Sequence, residues 1–304
     1  MDLKLRIWRA LRSTQRWLEA RLVFAILAVL RLLPPDGATN ALAALSRRIG
    51  PLFGRHRVAM QNLKLAFPEK TEAERRAIAL DMWDSMSRLA AEYVFLDDIF
   101  DYDPQAESSG RIEVKGEEIF ERIRAEGKPC IFFTAHTGNF ELLPICAATF
   151  DLEVTSLFRA PNNPLIAKRL AEARRTRAGH LVPSKAGAAW ALARALDGGR
   201  SVGMLVDQKY KNGVAGSFFG QPVRTNPLLP KLVRQYGCDV YPARCVRLPG
   251  NRFRLELEEK LEVPRTADGA VDIAAACQRL NDKVEAWVRE YPGQWMWFHK
   301  RFKL

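Results

Sequence analysis

The sequence predicts an α/β fold with a mainly parallel central sheet that carries helices on both faces. Three short apolar runs, at residues 130–134, 154–158 and 202–206, are typical of buried strands. Strands that alternate with helices favour a parallel sheet covered on both sides. The intervening and following stretches have helical patterns, at residues 140–149, 164–177 and 186–197.

Two later strand-like segments predict a hairpin. Residues 239–246 and 252–258 are joined across a Leu-Pro-Gly-Asn turn at 248–251, which is typical of an antiparallel pair, and we expect this pair at one edge of the sheet. A last helix is predicted over residues 271–289.

The chain before the sheet is predicted to be helical to about residue 105. Thr71 with Glu74 forms the pattern of a capped helix start, and the long helix that follows is expected to run through Trp83 and Tyr93. We divide the chain into an N-terminal segment, residues 1–33, and a main domain, residues 34–304, whose first part is helical.

The N-terminal segment is a basic amphipathic helix by its pattern. The segment contains seven Lys and Arg residues and only two acidic residues, and its uninterrupted apolar run is Leu22–Leu30. A membrane-spanning helix needs about 20 apolar residues, so the pattern favours a helix that lies in the membrane interface. A helix that docks its apolar face on the protein core is the alternative, and a cleaved signal peptide is disfavoured because basic residues recur after the run.

Composition limits the partners. The 304 residues are 48% hydrophobic, and 47 basic against 35 acidic side chains give a net charge of +12, which favours an anionic partner. The five cysteines are widely spaced and form no C-x-x-C pair, so the sequence predicts neither a disulfide framework nor a zinc site. No cofactor and no metal are expected.

Three polar clusters directly follow the three predicted strands. They lie at residues 136–141, 159–164 and 207–208. Ligands of parallel α/β sheets bind beyond the carboxyl ends of the strands, so we expect these clusters to form one site.

The first cluster contains a histidine and a carboxylate that could act together. On one continuous helix, His136 and Glu141 would point about 140° apart, because an α-helix has 3.6 residues per turn. If Gly138 allows a tight bend and Thr137 or Asn139 caps the next helix, Glu141 could reach back to the His136 ring. A carboxylate on one imidazole nitrogen leaves the other nitrogen free to accept a proton.

This pair predicts acyl transfer to a hydroxyl group, since a hydroxyl is a poor nucleophile until a base removes its proton. The G-x-S-x-G match at residues 199–203 leads from a predicted helix into a predicted strand, which is the reverse of a nucleophile elbow, so direct attack on a thioester is favoured over an acyl-serine intermediate. A structural histidine near a strand end is the alternative interpretation of His136.

The other clusters supply candidate binding residues. Arg159 could bind a phosphate in bidentate fashion, or it is a solvated surface arginine. Asp207 and Gln208 could orient the acceptor or support the Arg159 loop, or they cap a helix.

These segments together resemble a known family. The sequence is similar to the bacterial lipid A late acyltransferases, relatives of the glycerolipid acyltransferases that share an H-x-x-x-x-[DE] motif. The similarity runs from about Asn62 to the C terminus. It rests on Ala135-His136-Thr137-Gly138-Asn139-Phe140-Glu141, the Arg-x-x-x-Asn-Pro element at 159–164, Asp207-Gln208 with Ser217-Phe218-Phe219-Gly220 and Thr225, and residues 295–302.

The resemblance implies an acyltransferase domain over residues 34–304 with a glycerolipid-acyltransferase-like fold. It implies an enzyme on the cytoplasmic face of the bacterial inner membrane that moves a fatty acyl chain from acyl carrier protein to a hydroxyl of a Kdo-bearing, phosphorylated lipid A precursor. His136 and Glu141 are implied as the catalytic dyad, and the implied substrate-binding or supporting residues are Arg159, Asn139, Asp207 and Gln208.

Two other functions stay open from the sequence. An acyltransferase of the same superfamily could modify another glycolipid, of the phosphoinositide mannoside type, from acyl-CoA. A non-catalytic protein that binds an anionic membrane or nucleic acid is a different class, but the sequence carries no recognised nucleic-acid motif, so we expect no nucleic-acid partner.

Overall fold

The protein is described by a computed structural model that covers residues 3–104, 110–158, 163–167, 179–183 and 187–302. Its N-terminal part is helical, as the sequence predicts. The helices are α1 (Leu3–Leu30), α2 (Pro35–Ile49), α3 (Gly54–Ala66), α4 (Glu72–Glu92) and α5 (Leu96–Ile99).

The start of α4 confirms the predicted cap. The Thr71 hydroxyl accepts a hydrogen bond from the Glu74 backbone N–H at 3.2 Å, and the Glu74 carboxylate accepts one from the Thr71 N–H at 2.7 Å. This reciprocal pair satisfies two backbone donors that a helix start leaves free. The helix therefore begins where the sequence predicts.

Helix α1 has two apolar sides. Ala20 and Leu30 are buried, and Leu27 packs with Leu30 against the protein core. A second stripe of apolar side chains is exposed to solvent on the described part of α1: Leu11, Leu18, Leu22, Ile26 and Val29. At 100° per residue these five fall within about 80° of one another, roughly opposite Ala20. In the described part of the chain, no helix is both long enough and apolar enough to cross a bilayer.

The central sheet has seven described strands: β1 (Ile112–Lys115), β2 (Ile131–Thr134), β3 (Val154–Phe158), β4 (His180–Pro183), β5 (Ser201–Leu205), β8 (Val240–Leu248) and β9 (Arg252–Leu257). Their order across the sheet is β1-β9-β8-β2-β5-β3-β4. Five of them run parallel to one another, and β9 pairs antiparallel with β8. A separate antiparallel hairpin consists of β6 (Val214–Phe218) and β7 (Gln221–Thr225).

The three predicted core strands and the predicted β8–β9 hairpin are confirmed. The expected position of that hairpin at the sheet edge is wrong, because β1 pairs with β9 from outside in parallel register, Ile112 opposite Phe253. Strand β1 was not predicted, because a segment of four residues, Ile-Glu-Val-Lys, is too short and too polar to show a strand pattern. The β6–β7 hairpin was not predicted either.

Helices cover both faces of the sheet. The alternating side chains of β2 enter two different core clusters: Phe133 belongs to the cluster that contains Leu192 and Leu280, whereas Phe132 belongs to the one that contains Phe120. The helices that follow or separate the strands are α6 (Glu117–Glu126), α7 (Leu142–Thr149), α8 (Ala188–Asp197), α9 (Leu228–Tyr236) and α10 (Ile273–Glu290). Of the predicted helix at 164–177, residues 164–167 are helical and the remainder lies outside the described residues.

Candidate active site

Sheet register brings His136 and Asp207 together. Strands β2 and β5 are parallel neighbours, with Thr134 opposite Leu205. His136 and Asp207 each follow two residues later, at the same carboxyl edge of the sheet. Side chains that are 71 positions apart in sequence therefore meet at the place where α/β folds bind ligands.

The carboxylate that the structure places on the His136 ring is that of Asp207. His136 Nδ1 lies 2.8 Å from Asp207 Oδ1, and the His136 backbone N–H donates to Asp207 Oδ2 at 2.9 Å. The Trp295 indole N–H donates to the same oxygen at 2.8 Å. The Asp207 side chain is only 2% exposed, so these contacts hold it, and through it the ring, in one orientation.

The Gln208 side chain contacts the other ring nitrogen of His136. Its side-chain amide nitrogen lies 3.1 Å from His136 Nε2. An amide nitrogen donates hydrogen bonds, so Nε2 acts as the acceptor and Nδ1 carries the proton that is donated to Asp207. This tautomer is the one in which Nε2 can take a proton from a substrate.

The loop after His136 is held by the C-terminal segment. Gly138 adopts φ +56°, and a Cβ atom there would lie 2.2 Å from the Cys245 carbonyl oxygen, so only glycine fits. The Gly138 N–H donates to the Gln294 carbonyl at 3.2 Å, and the Met296 N–H donates to the His136 carbonyl at 3.2 Å. The predicted tight bend at Gly138 is confirmed.

Asn139 lies in a buried network behind the loop. Its amide nitrogen donates to Glu92 at 2.9 Å, and its side-chain oxygen accepts from the Glu141 N–H at 3.2 Å. Glu92 in turn accepts a hydrogen bond from Arg247 Nη2 at 2.8 Å. Asn139 is fully buried, and its predicted contact with substrate stays a prediction.

Glu141 faces the same cavity as His136, and the Tyr93 hydroxyl donates a hydrogen bond to its carboxyl group. Burial raises the pKa of Glu141 to about 8, although the nearby His136 lowers it. The predicted role of Glu141 in holding the His136 ring stays a prediction. Arg159 lies outside the described residues.

The pKa of Asp207 is shifted in the opposite direction. Burial alone would raise its pKa, but the charge interaction with His136 together with the hydrogen bonds from His136 and Trp295 lowers the pKa to about 2. Asp207 is thus the ionised carboxylate of this site at neutral pH.

An apolar cavity of about 310 Å³ opens beside the His136 ring. Its volume falls at the lower end of the range for small-molecule sites. The few polar side chains in its wall include His136, Glu141, Tyr93 and Thr134. The apolar wall includes Phe120, Phe132, Phe133, Phe140, Leu143, Val154, Leu157, Met204 and Leu257. A proton acceptor therefore adjoins a space that fits an apolar chain.

Two partners of the site could not be assigned from the residues alone. Trp295 was part of the family resemblance only, and no local pattern showed that its indole would reach Asp207. Tyr93 was predicted as a position on a long helix, with no indication of its contact with Glu141. Within the described ranges, no group of three or more His, Cys, Asp or Glu side chains is arranged to hold a metal ion.

An α/β fold that places an oriented histidine beside an apolar cavity suits an enzyme that transfers or hydrolyses acyl groups. The family model for bacterial lipid A biosynthesis acyltransferases matches residues 7–304. The chain belongs to this family and is an acyltransferase.

Named relatives agree with this family. The chain is 25% identical over 298 residues to a lipid A biosynthesis myristoyltransferase of Escherichia coli (strain K12), covering 97% of this chain and 90% of that protein. Lipid A biosynthesis acyltransferase 1 of Shigella flexneri has the same identity and coverage. A lipid A biosynthesis acyltransferase of Haemophilus influenzae is 24% identical over 242 residues, covering 79% of this chain and 73% of that protein.

Proposed function

We propose that the protein transfers a fatty acyl chain from acyl carrier protein to a hydroxyl group of a lipid A precursor. The observation that carries this proposal is the His136 ring, which is oriented by Asp207 at 2.8 Å and adjoins the apolar cavity. Family membership supports the acceptor, because the relatives are named for lipid A biosynthesis.

In the proposed reaction, His136 is the general base. The acceptor hydroxyl takes the place of the Gln208 amide at Nε2 and gives up its proton as its oxygen attacks the thioester carbonyl carbon. The C–S bond then breaks, and the departing sulfur takes the proton from the imidazolium, which leaves an ester and a free thiol. Asp207 stabilises the imidazolium while it lasts, as an ionised carboxylate on Nδ1 does in other histidine bases.

Glu141 has a place in the same proposal. The sequence predicted a His136–Glu141 dyad, and both side chains line the cavity. With its pKa raised to about 8 by burial, Glu141 is mostly protonated at neutral pH. A neutral carboxyl group can donate a hydrogen bond, so we propose that Glu141 acts on the thioester carbonyl oxygen as negative charge develops there.

The proposed enzyme assay uses purified protein, acyl carrier protein loaded with acyl chains of defined length, and a lipid A precursor, with products read by mass spectrometry. We expect the precursor mass to increase by one acyl group. His136→Ala should lower kcat by about 10²- to 10⁴-fold, the usual contribution of a positioned base. His180→Ala is the matched control, since His180 begins strand β4 and its side chain is 56% exposed.

Two outcomes would contradict this proposal. Near-normal turnover by His136→Ala would remove His136 from the mechanism. Transfer from acyl-CoA to a mannosylated phosphoinositide, with none to the lipid A precursor, would favour the other glycolipid reaction.

We also propose that the protein attaches to the cytoplasmic face of the bacterial inner membrane. The exposed stripe Leu11, Leu18, Leu22, Ile26 and Val29 supports attachment in the interface, since the opposite side of α1 already packs on the core. Deleting residues 1–33 would also remove the packed Leu30 side chain, so point variants are the sharper test.

We expect the triple variant Leu18→Gln, Leu22→Gln, Val29→Gln to lose most co-sedimentation with anionic phospholipid vesicles while keeping its circular dichroism spectrum. Glutamine preserves helix propensity, so the change acts on the exposed stripe and leaves the helix intact. Sedimentation equal to that of the unchanged protein would show that the stripe does not hold the membrane.

A further inference from the structure

A second cavity lies close to Gln208. Its volume is about 520 Å³, and its wall is formed by Lys209, Lys211, Asn212 and Arg224, which together we name the basic pocket. Lys209 directly follows Gln208, so their Cα atoms are about 3.8 Å apart. The basic pocket therefore begins one residue from the side chain that contacts His136 Nε2.

The backbone that carries these cations is held firmly by Arg301. This guanidinium is only 1% exposed, and its Nη1 donates to the Gln208 carbonyl at 3.3 Å and to the Arg224 carbonyl at 2.9 Å. Its Nη2 donates to the Thr225 hydroxyl at 3.0 Å and to Asn281 at 2.8 Å. Arg301 thus joins the two chain segments whose side chains form the pocket.

A second set of backbone bonds fixes the same segments. The Lys209 N–H donates to His299 Nε2 at 3.0 Å, and the Tyr210 N–H donates to the Arg224 carbonyl at 3.3 Å. The Arg224 guanidinium donates to the Gly213 carbonyl at 3.2 Å. The positions of the pocket residues are therefore set by the fold.

The pocket carries three positive charges with no acidic residue in its wall. In the part of the chain that the structure describes, no carboxylate forms an ion pair with Lys209, Lys211 or Arg224. The nearest acidic residue in sequence, Asp207, is engaged by His136 and Trp295. Like charges gathered around one cavity repel one another unless an anion occupies it.

We propose that the basic pocket binds a phosphate group of the lipid acceptor, an inference that rests on the proposed function. A phosphate offers several oxygens, which match the forked donors of Arg224, the two ammonium groups and the Asn212 amide. The position points to the acceptor, because Lys209 in the pocket wall directly follows Gln208, and the Gln208 side chain contacts the Nε2 atom that the acceptor hydroxyl must reach. The apolar cavity, which also contacts His136, remains for the acyl chain.

The test measures binding without turnover. In a His136→Ala background, the probe is a phosphorylated disaccharide lipid, and its phosphatase-treated counterpart is the comparison. We expect Lys211→Gln with Arg224→Gln to raise the Kd for the phosphorylated lipid about 10- to 100-fold, the usual effect of losing hydrogen bonds to a charged group. The Kd for the phosphatase-treated lipid should not change.

Lys231→Gln with Arg234→Gln is the matched control, because it removes two exposed charges from α9 and should leave both Kd values unchanged. Equal loss of affinity in the control would mean that net charge alone is responsible and would overturn the site. If Arg224→Gln lowers the melting temperature, Lys209→Gln with Lys211→Gln tests the pocket without breaking the Arg224 bond to Gly213.

Steady-state kinetics with His136 intact then identifies the source of the phosphate. A raised KM for the acceptor lipid, with an unchanged KM for the acyl carrier protein thioester, supports the proposal. A raised KM for the thioester alone would mean that the pocket binds the phosphate in the thiol-bearing arm of the donor. That result would overturn the proposal. Absence of acyl transfer by the unchanged protein would contradict the proposed function, whereas the binding difference would still test the pocket.

Discussion

Two carboxyl groups lie near His136, and their pKa values are shifted in opposite directions. Asp207, after strand β5, is buried and has a pKa lowered to about 2. Glu141, at the start of α7, is partly buried in the cavity wall and has a pKa raised to about 8. Both groups are removed at least in part from solvent, so burial alone does not decide their charge.

The charge interaction with His136 and the hydrogen-bond donors together hold the pKa of Asp207 low. Asp207 accepts from the His136 backbone N–H, the His136 ring and the Trp295 indole. Glu141 has the neutral Tyr93 hydroxyl beside its carboxyl group, together with an apolar cavity wall. A carboxylate that accepts several donors keeps its charge when buried, whereas one in apolar surroundings keeps its proton. The site therefore combines an ionised group that holds the His136 ring with a neutral group that faces the apolar cavity.

The largest expected effect comes from removing the charge of Asp207. Asp207→Asn preserves the shape, but its amide can donate to Nδ1 and so favours the tautomer in which Nε2 already carries a proton. We expect kcat to fall about 10³- to 10⁴-fold in steady-state assays, as in other enzymes that lose the carboxylate behind a histidine base. Asp239→Asn is the control, since the Asp239 carboxylate lies 3.6 Å from Lys260, away from the site.

Near-normal turnover by Asp207→Asn would show that the reaction does not need the Asp207 carboxylate. It would mean that Glu141, as the sequence predicts, holds the ring during the reaction and that the Asp207 contact is structural. A melting temperature close to that of the unchanged protein would exclude unfolding as the cause of a large loss.

The sequence predicted the local parts of this site better than their pairing. The apolar run before His136 and the run before Asp207 have strand patterns, so both side chains could be placed beyond strand ends. Their contact depends on β2 and β5 being neighbours with Thr134 opposite Leu205. Strand order is set by packing across the whole sheet, and short apolar runs carry no information about it. The nearer carboxylate in sequence, Glu141, was therefore the natural choice for the partner of His136.

Contacts from distant segments were harder still to predict. Glu92 and Arg247 are 155 residues apart, yet they pair behind Asn139 in a buried network. A charged residue in a helical pattern is usually a solvated one, so nothing local marked Glu92 as buried. Likewise, Arg301 lies in a short terminal stretch and is held by Arg224 and Thr225 of the β6–β7 hairpin, which was not predicted from the sequence.

A smaller effect, on the free energy of unfolding, tests whether Glu141 keeps its proton in the folded protein. Its pKa rises from the ordinary 4.5 to about 8 on folding, so the folded protein keeps a proton that the unfolded chain loses. The stabilisation is complete below pH 4.5 and is lost as the pH rises towards 8, at about 1.4 kcal/mol per pH unit.

Glu141→Gln removes this pH dependence of the free energy of unfolding, because glutamine does not ionise. In urea unfolding at pH 5 and pH 8, we therefore expect the free energy of unfolding of the variant, relative to the unchanged protein, to increase by about 3 kcal/mol between the two pH values. The exposed Glu121→Gln should give no such change, and parallel pH profiles for Glu141→Gln and the unchanged protein would show that Glu141 is ionised in the folded state.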